Sequence, residues 1–232
     1  MKTLLLRLKG PMQAWGTSSR FETRTTDYYP SKSAIIGILA GSFGYKRDED
    51  DKIKKLNDLD FAVRIDQEGV LARDYHIASK YKAKGTLDRN YVTNRYYMED
   101  AVFVVAISNA DEEWLDEIYY ALTHPYFQPF MGRRSCPLPG DFIIGFTDQG
   151  PLEALQTLDW QASDWYKKKH KSYRADIYAD KDLLPDSPAK MRNDRVISFS
   201  QKERKFGPRF EARTDQVLAS ESDEPLDFYE SI

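Results

Sequence analysis

The apolar positions fall into a few short stretches whose spacing sets out the elements. Thr3 to Leu8 (TLLLRL) is a run of buried-strand character. A polar stretch with glycines and aromatics follows, as far as Pro30. Ser31 can then cap a helix whose apolar positions are Ala34, Ile35, Ile38, Leu39 and Phe43, with Gly44 at its end. DEDDKIKKLNDL predicts a second, short and charged helix. Phe61 to Asp66 (FAVRID) alternates apolar and polar, as a half-buried strand does. Val102 to Ser108 (VFVVAIS) is β-branched and almost wholly apolar, which predicts a central strand. Asn109 with Glu112 reads as a capping box for a helix lined by Trp114, Leu115, Ile118, Tyr119 and Leu122 and stopped by Pro125. Phe142 to Phe146 (FIIGF) predicts another strand.

In order this is strand, helix, strand, strand, helix, strand over residues 1–147. It is the split βαβ pattern of ferredoxin-like and RNA-recognition-like folds, and the class is α+β. An insert at about residues 69–98, rich in Tyr, Lys and Arg and with Gly85 near its middle, predicts a protruding hairpin or loop. From Asp148 the pattern changes. A short helix (Leu152–Leu158) precedes the basic run WYKKKHKSYR, and ADIYAD, RVISFSQKE and RFEARTDQVLA predict strands. Residues 148–220 thus form a smaller β-rich C-terminal part, and 221–232 an acidic tail expected to be disordered.

Composition adds limits. The chain has 232 residues, 41% of them apolar, which is enough for a substantial core. One cysteine excludes an intrachain disulfide and fits a reducing compartment. No run is long or apolar enough to span a bilayer, so a cytoplasmic protein with no membrane partner is expected. The net charge of −3 argues weakly against nucleic acid, but its distribution argues for it. Residues 1–47 hold eight Lys and Arg against two acids, 73–95 six against two, 167–174 five against none, and 190–213 eight against three. A polyanion responds to local potential rather than to the total, although any one such cluster is more often an ordinary solvated face.

An active site finds little support. His76, His124 and His170 fall in separate segments without metal-ligand spacing, and there is no nucleophile elbow, P-loop or dinucleotide fingerprint. No metal and no cofactor are expected. GILAGSFG suits a packed helix and its C-cap better than a phosphate loop. Cys136 beside Arg133 and Arg134 could be an activated thiol, but a lone cysteine is more often a small buried hydrophobe. His76 with Tyr75, Lys80 and Lys82 supplies the parts for metal-independent RNA cleavage, with a base for the 2′-hydroxyl and a cation for the phosphate. The same residues equally describe a hairpin that only holds RNA.

Binding is the better-supported class. Arg133 and Arg134 can fork onto phosphate oxygens, Gly132 permits close backbone approach, and Pro137 and Pro139 stiffen the exit. In GPMQAWG (Gly10–Gly16), Gln13 can read a base edge and Trp15 can stack on a base, or the indole can pack in the core. Lys32 with Ser31 and Ser33 makes either an anion site at a helix N-terminus or a simple cap. Arg73, Lys80, Lys82, Lys84, Arg89 and Arg95, interleaved with Tyr75, Tyr81, Tyr91 and Tyr96, complete a set suited to single-stranded RNA.

LRLKGPMQAWG, YPSKSAIIGILAGSFGYKRDED, FAVRID, RDYH, GRRSCPL and the later ADIYAD, in this order, resemble the Cas-five family of CRISPR-associated proteins in its subtype I-E form, from the N-terminus to about residue 218. The resemblance implies an RNA-recognition-like (RAMP) domain with a thumb hairpin and a small C-terminal part. It implies a non-catalytic subunit of the Cascade surveillance complex that grips the 5′ handle of the crRNA, its thumb pushing between nucleotides where handle meets spacer. The expected partners are the crRNA, the backbone subunit, the large PAM-reading subunit and, indirectly, target DNA. In subtype I-E a separate Cas-six-type endoribonuclease cuts the precursor, whereas the subtype I-C relative is itself a processing nuclease. Carried over by motif, Gln13, Trp15, Lys32, Ser33, Arg133, Arg134 and Ser135 become handle-facing residues. Arg73, His76 and Arg95 fall at the base of the thumb.

Overall fold

The computed structural model describes residues 2–17 and 22–219. The acidic tail, 221–232, lies outside the described residues. The fold is mixed α/β, rich in sheet and with few helices. The elements are β1 (Lys2–Lys9), β2 (Met12–Gln13), β3 (Thr23–Arg24), α1 (Lys32–Ser42), α2 (Asp50–Lys55), β4 (Asp60–Gln67), β5 (Val70–Tyr81), β6 (Leu87–Glu99), β7 (Val102–Asn109), α3 (Glu112–Thr123), β8 (Ile143–Thr147), α4 (Pro151–Thr157), α5 (Asp164–Lys169), β9 (Ser172–Asp180), β10 (Ala189–Ser198) and β11 (Lys205–Ala219).

A seven-stranded sheet runs in the order β10-β11-β9-β4-β7-β1-β8, and a smaller sheet holds β2, β6 and β3 with β5 paired to β6. β7 is central and antiparallel to both β1 and β4. Its side chains alternate between two cores. Phe103, Val105 and Ile107 join Leu4, Leu6 and Leu8 under the helices, while Val104 and Ala106 face Leu5, Ala62, Ile177 and Ala179 on the other side. Burial of both faces is why VFVVAIS reads as one apolar run. On the second face the alanines 62, 106 and 179 leave room for α4 to press Ala154 and Leu155 against the sheet. β9, β10 and β11 extend the same sheet from the edge of β4 (Val63↔Tyr178).

Ser31 caps α1 as expected, its Oγ accepting from the Ala34 amide at 3.2 Å. Gly44 follows with φ +77°, and a Cβ there would meet the Tyr126 ring at 2.6 Å. The cap of α3 is Asp111, not Asn109. The Asp111 carboxylate accepts from Trp114 N at 3.0 Å, because β7 continues through Asn109 and leaves that side chain to accept from Asp111 N instead. The face of α3 is buried at Trp114, Leu115, Ile118, Ala121 and Leu122, whereas Tyr119 is 38% exposed.

The register places the ends that matter. Lys9 and Gln67 both pair with Val102, Leu6 with Ile143 and Arg64 with Ile177. The C-terminal ends of β1 and β4 and the N-terminal ends of β7, β8 and β9 therefore lie at one end of the sheet. The β5–β6 hairpin leaves from that end, between β4 and β7. Among the described residues, no helix is long and apolar enough to cross a membrane.

Candidate nucleic-acid interface

The loop MGRRSCPLPG closes on itself before it presents anything. Phe130 and Pro137 form a bridge, Met131 N donates to Cys136 O at 2.7 Å, and Cys136 N donates to Arg133 O at 2.8 Å. Met131 and Cys136 are buried. Gly132 has φ +78°, and its α-carbon rests on the Ala14 carbonyl. Ala14 N in turn donates to Met131 O at 3.2 Å. GPMQAWG and MGRRSCPLPG, more than a hundred positions apart, thus make one rigid piece. The Cys136 thiol is pushed up by burial, and the hydrogen bond from Ser135 and the Arg133 charge only partly oppose this. It is held protonated, which removes the reading as an activated nucleophile.

At the loop tip Arg134 and Ser135 are exposed, and Arg134 makes no ion pair among the described residues. The Arg133 guanidinium lies over the Tyr97 ring at 4.2 Å and donates to Arg24 O at 2.9 Å. Its Nη1 is buried without a hydrogen-bond partner among the described residues.

Four of the handle-facing residues occupy a different place. Gln13 is fully buried. Its Nε2 donates to Ala101 O at 2.7 Å and its Oε1 accepts from Trp15 Nε1 at 3.0 Å. Trp15 is 1% exposed and packs edge-on against Phe103. Lys32 is buried, its Nζ 2.9 Å from Asp180. Ser33 Oγ meets Ser31 Oγ at 3.0 Å, also buried. The anion at the N-terminus of α1 is the protein's own, since Lys32 N donates to Asp194 Oδ2 at 3.0 Å. Gln13, Trp15, Lys32 and Ser33, expected to face the handle, are thus instead buried in the described chain with partners inside the fold. Their polar atoms are spent inside the fold, where an unpaired group would cost about 1–3 kcal/mol.

Asp194 belongs to a network that sequence reasoning missed. Arg209 binds Asp180, Asp194 and Glu211 at 2.7–3.1 Å. Arg192 reaches Asp27 at 2.7 Å and lies over the Tyr29 ring at 4.5 Å, and Tyr29 donates to Glu211 at 2.7 Å. Burial, above all, drives the Tyr29 phenol far up. Part of a signal was present: Arg209 and Glu211 stand two apart along a predicted strand and so share a face, whereas Arg192 and Asp194 precede the strand that RVISFSQKE predicts.

The insert is a long hairpin. Its tip closes with Lys82 N donating to Thr86 O and Gly85 N to Lys82 O, both at 2.9 Å. Register sorts its faces: Asp74, His76, Ala78 and Lys80 oppose Arg95, Thr93, Tyr91 and Arg89 on one side. Arg73, Tyr75 and Ile77 oppose Tyr96, Asn94 and Val92 on the other, where Tyr75 and Ile77 are exposed. Arg73 and His76 are thus not brought together; Arg73 Nε donates to Asn94 Oδ1 at 3.0 Å, and His76 Nδ1 lies 3.4 Å from Thr93 Oγ1. β3 pairs parallel with β6, Arg24 opposite Arg95. The result is an open groove of about 360 Å³ lined by Arg24, Ala78, Thr93, Arg95 and Arg133. Arg24 carried no local signal; only the tertiary pairing brings it to the other two arginines. Among the described residues no group of three or more His, Cys, Asp or Glu is placed to hold a metal ion.

Three arginines around a groove, one stacked on a ring, at the foot of an aromatic hairpin, suit a phosphodiester backbone with unstacked bases. A family model described as CRISPR-associated protein (Cas5) matches residues 3–211. The CRISPR system Cascade subunit CasD of Escherichia coli (strain K12) is 32% identical over 182 residues, 72% of this chain and 81% of that protein. A chain of a CRISPR RNA-guided surveillance complex superposes with a TM-score of 0.77 at 28% identity, covering 94% of this chain and 91% of that one. The crystal structure of a Cas protein superposes with a TM-score of 0.64, also at 28% identity, covering 94% and 95%.

Proposed function

The chain belongs to the CRISPR-associated Cas5 family, and from that premise we propose that it is the crRNA-binding, CasD-type subunit of a Cascade complex. It grips the 5′ handle of the crRNA, acts without catalysis and serves antiviral defence. The central strand order β4-β7-β1-β8, with α1 and α3 on one face, supports reading residues 1–147 as a ferredoxin-like RAMP domain carrying a thumb. Residues 148–220 are then the appended β-rich part. Contacts with the backbone subunit and the large subunit belong to the same reading.

The observation that carries it is the Gly132-locked loop that sets Arg133 and Arg134 beside the thumb, with Arg24 and Arg95 across the groove. Arg133, Arg134 and Ser135 hold the handle backbone, and Arg73, His76 and Arg95 follow it at the thumb base. The test is assembly of the complex on a crRNA with an intact 5′ handle. Arg133→Ala with Arg134→Ala is expected to lose assembly and nuclease protection of the handle; normal assembly and protection would refute the assignment. One observation favours a second reading. His76 stands on the hairpin face that lines the groove, paired with Thr93, as a base for RNA cleavage of the subtype I-C kind would. Incubation of the pure protein with repeat RNA in EDTA decides between them, because only an endoribonuclease cuts, and His76→Ala would then abolish the cut.

A further inference from the structure

The basic run Lys167–Lys171 has no part in the groove, yet its place in the fold is tightly set. α5 is anchored to the end of β4. Trp160 Nε1 donates to Asp66 O and Gln161 N to Asp66 Oδ2, both at 2.6 Å, and Ser163 N donates to Gln67 Oε1 at 3.0 Å. Gln67 Nε2 donates to Asp100 O at the other root of the thumb. Asp66 is itself clamped by Arg64, and both are fully buried. The run therefore stands at the thumb end of the sheet, on the β9 side. The arginine loop stands at the same end, before β8. Four strand spacings separate β9 from β8, about 19 Å, with the thumb rising between them.

Three features of the run go unexplained by packing. Lys168 and Lys169 are exposed and form no ion pair among the described residues, while Lys167 is half-buried and its charge offsets part of the upward shift that burial imposes on Asp66. One lysine would suffice to complement the end of so short a helix. Trp165 is 55% exposed, whereas Trp15, Trp114 and Trp160 are 1%, 6% and 3% exposed. Its ring stands at 82° to that of Tyr166, with centroids 5.5 Å apart. Only Asp164 is acidic within the helix.

We propose that Lys167, Lys168, Lys169 and Trp165 form a second nucleic-acid contact, which takes the phosphodiester backbone of a strand on the far side of the thumb from the arginine groove. The lysines neutralise phosphates as point charges and the indole packs on a base or sugar. The proposal takes its orientation from the groove being the crRNA grip, but the two fail separately. The backbone belongs either to the guide RNA bent around the thumb root or to a DNA duplex brought to the guide, and both offer the same chemistry.

The experiment titrates the full-length protein with a labelled single-stranded RNA bearing the 5′ handle and, separately, with a labelled duplex DNA, at several salt concentrations. Lys167→Gln with Lys168→Gln and Lys169→Gln is expected to flatten the slope of log K against log salt by about 2 for the RNA or about 3 for the duplex. The probe that responds names the source. Quenching of tryptophan emission on binding is expected to vanish in Trp165→Phe, since the other three indoles are shielded. Slope and quenching unchanged with both probes, in variants that melt with the wild type, overturn the proposal. If Arg133→Ala with Arg134→Ala still loses the RNA in that case, the groove stands and only the second contact falls. A wild-type protein that binds neither probe overturns both.

Discussion

Replacing Gly132 by alanine adds one methyl group and should disarm the arginine loop. The new Cβ would lie 2.8 Å from the Ala14 carbonyl carbon and closer still to its oxygen. The φ of +78° would remain in the left-handed region, which costs an L-residue about 1–2 kcal/mol. The clash is with backbone, so relief means moving the loop. That breaks the bond from Ala14 N to Met131 O, worth about 1 kcal/mol. The sum is about 2–3 kcal/mol, or a fall of about 4–12 °C in melting temperature for a chain of this size. Arg133 would also leave the face of Tyr97, so handle affinity should fall by more than tenfold. Gly140→Ala is the matched control: no atom lies within 4 Å of its Cβ position and its φ is ordinary, so it should melt with the wild type. The assays are a thermal melt by circular dichroism and anisotropy titration with labelled handle RNA. A Gly132→Ala protein that melts and binds as the wild type does would show that the loop is not held by that contact.

Gln13→Ala strands the Trp15 indole N–H and the Ala101 carbonyl; stability should drop by about 2–4 kcal/mol while the folded fraction binds RNA with unchanged affinity, read by denaturant titration beside anisotropy. Cys136→Ala should keep full handle protection, because the thiol is buried and protonated; loss of protection in a protein that still melts normally would revive the cysteine. Asp60 has its pKa raised mainly by burial, with Asp180 adding to the shift and the hydrogen bond from Ser108 opposing it. A raised folded-state pKa means that this carboxyl contributes stability below its unfolded value near 3.8 and loses it as pH rises through the folded value. Asp60→Asn should therefore melt higher than the wild type at neutral pH, with the gap closing on acidification.

Legibility in the sequence followed how local the cause was. VFVVAIS announced a strand buried on both faces because every residue in it but Ser108 is apolar, on both alternating faces. Ser31 announced α1 because a cap acts within three residues. The cap of α3 was misplaced by two positions because Asn109 and Asp111 are both good caps, and only the sheet decides that β7 runs through the first. That Arg133 and Arg134 sit in a fixed loop was legible because a glycine before them and prolines after them describe one, but that only Arg134 is exposed while Arg133 lies over the Tyr97 ring was not. Gln13 and Trp15 were not, since an amide and an indole that suit a base edge suit a buried carbonyl equally well. Lys32 hid its role because its partners, Asp180 and Asp194, stand 148 and 162 positions away. Arg24 had no signal at all, since it enters the groove only through the pairing of β3 with β6.

The hairpin is a cantilever. Its root is clamped: β6 carries β2 at Met98–Glu99 and β3 at Asn94–Arg95 along one edge, with β5 along the other. Beyond Thr93, among the described residues, only the two strands continue, and a two-stranded ribbon is the least stiff form of sheet. A sideways load at the tip therefore bends the beam just past the clamp, level with His76 and Val92, and leaves Arg95 and Arg133 unmoved. One appendage thus keeps a fixed gauge at its foot and a compliant finger at its end, able to follow a neighbour's shape without loosening the grip below.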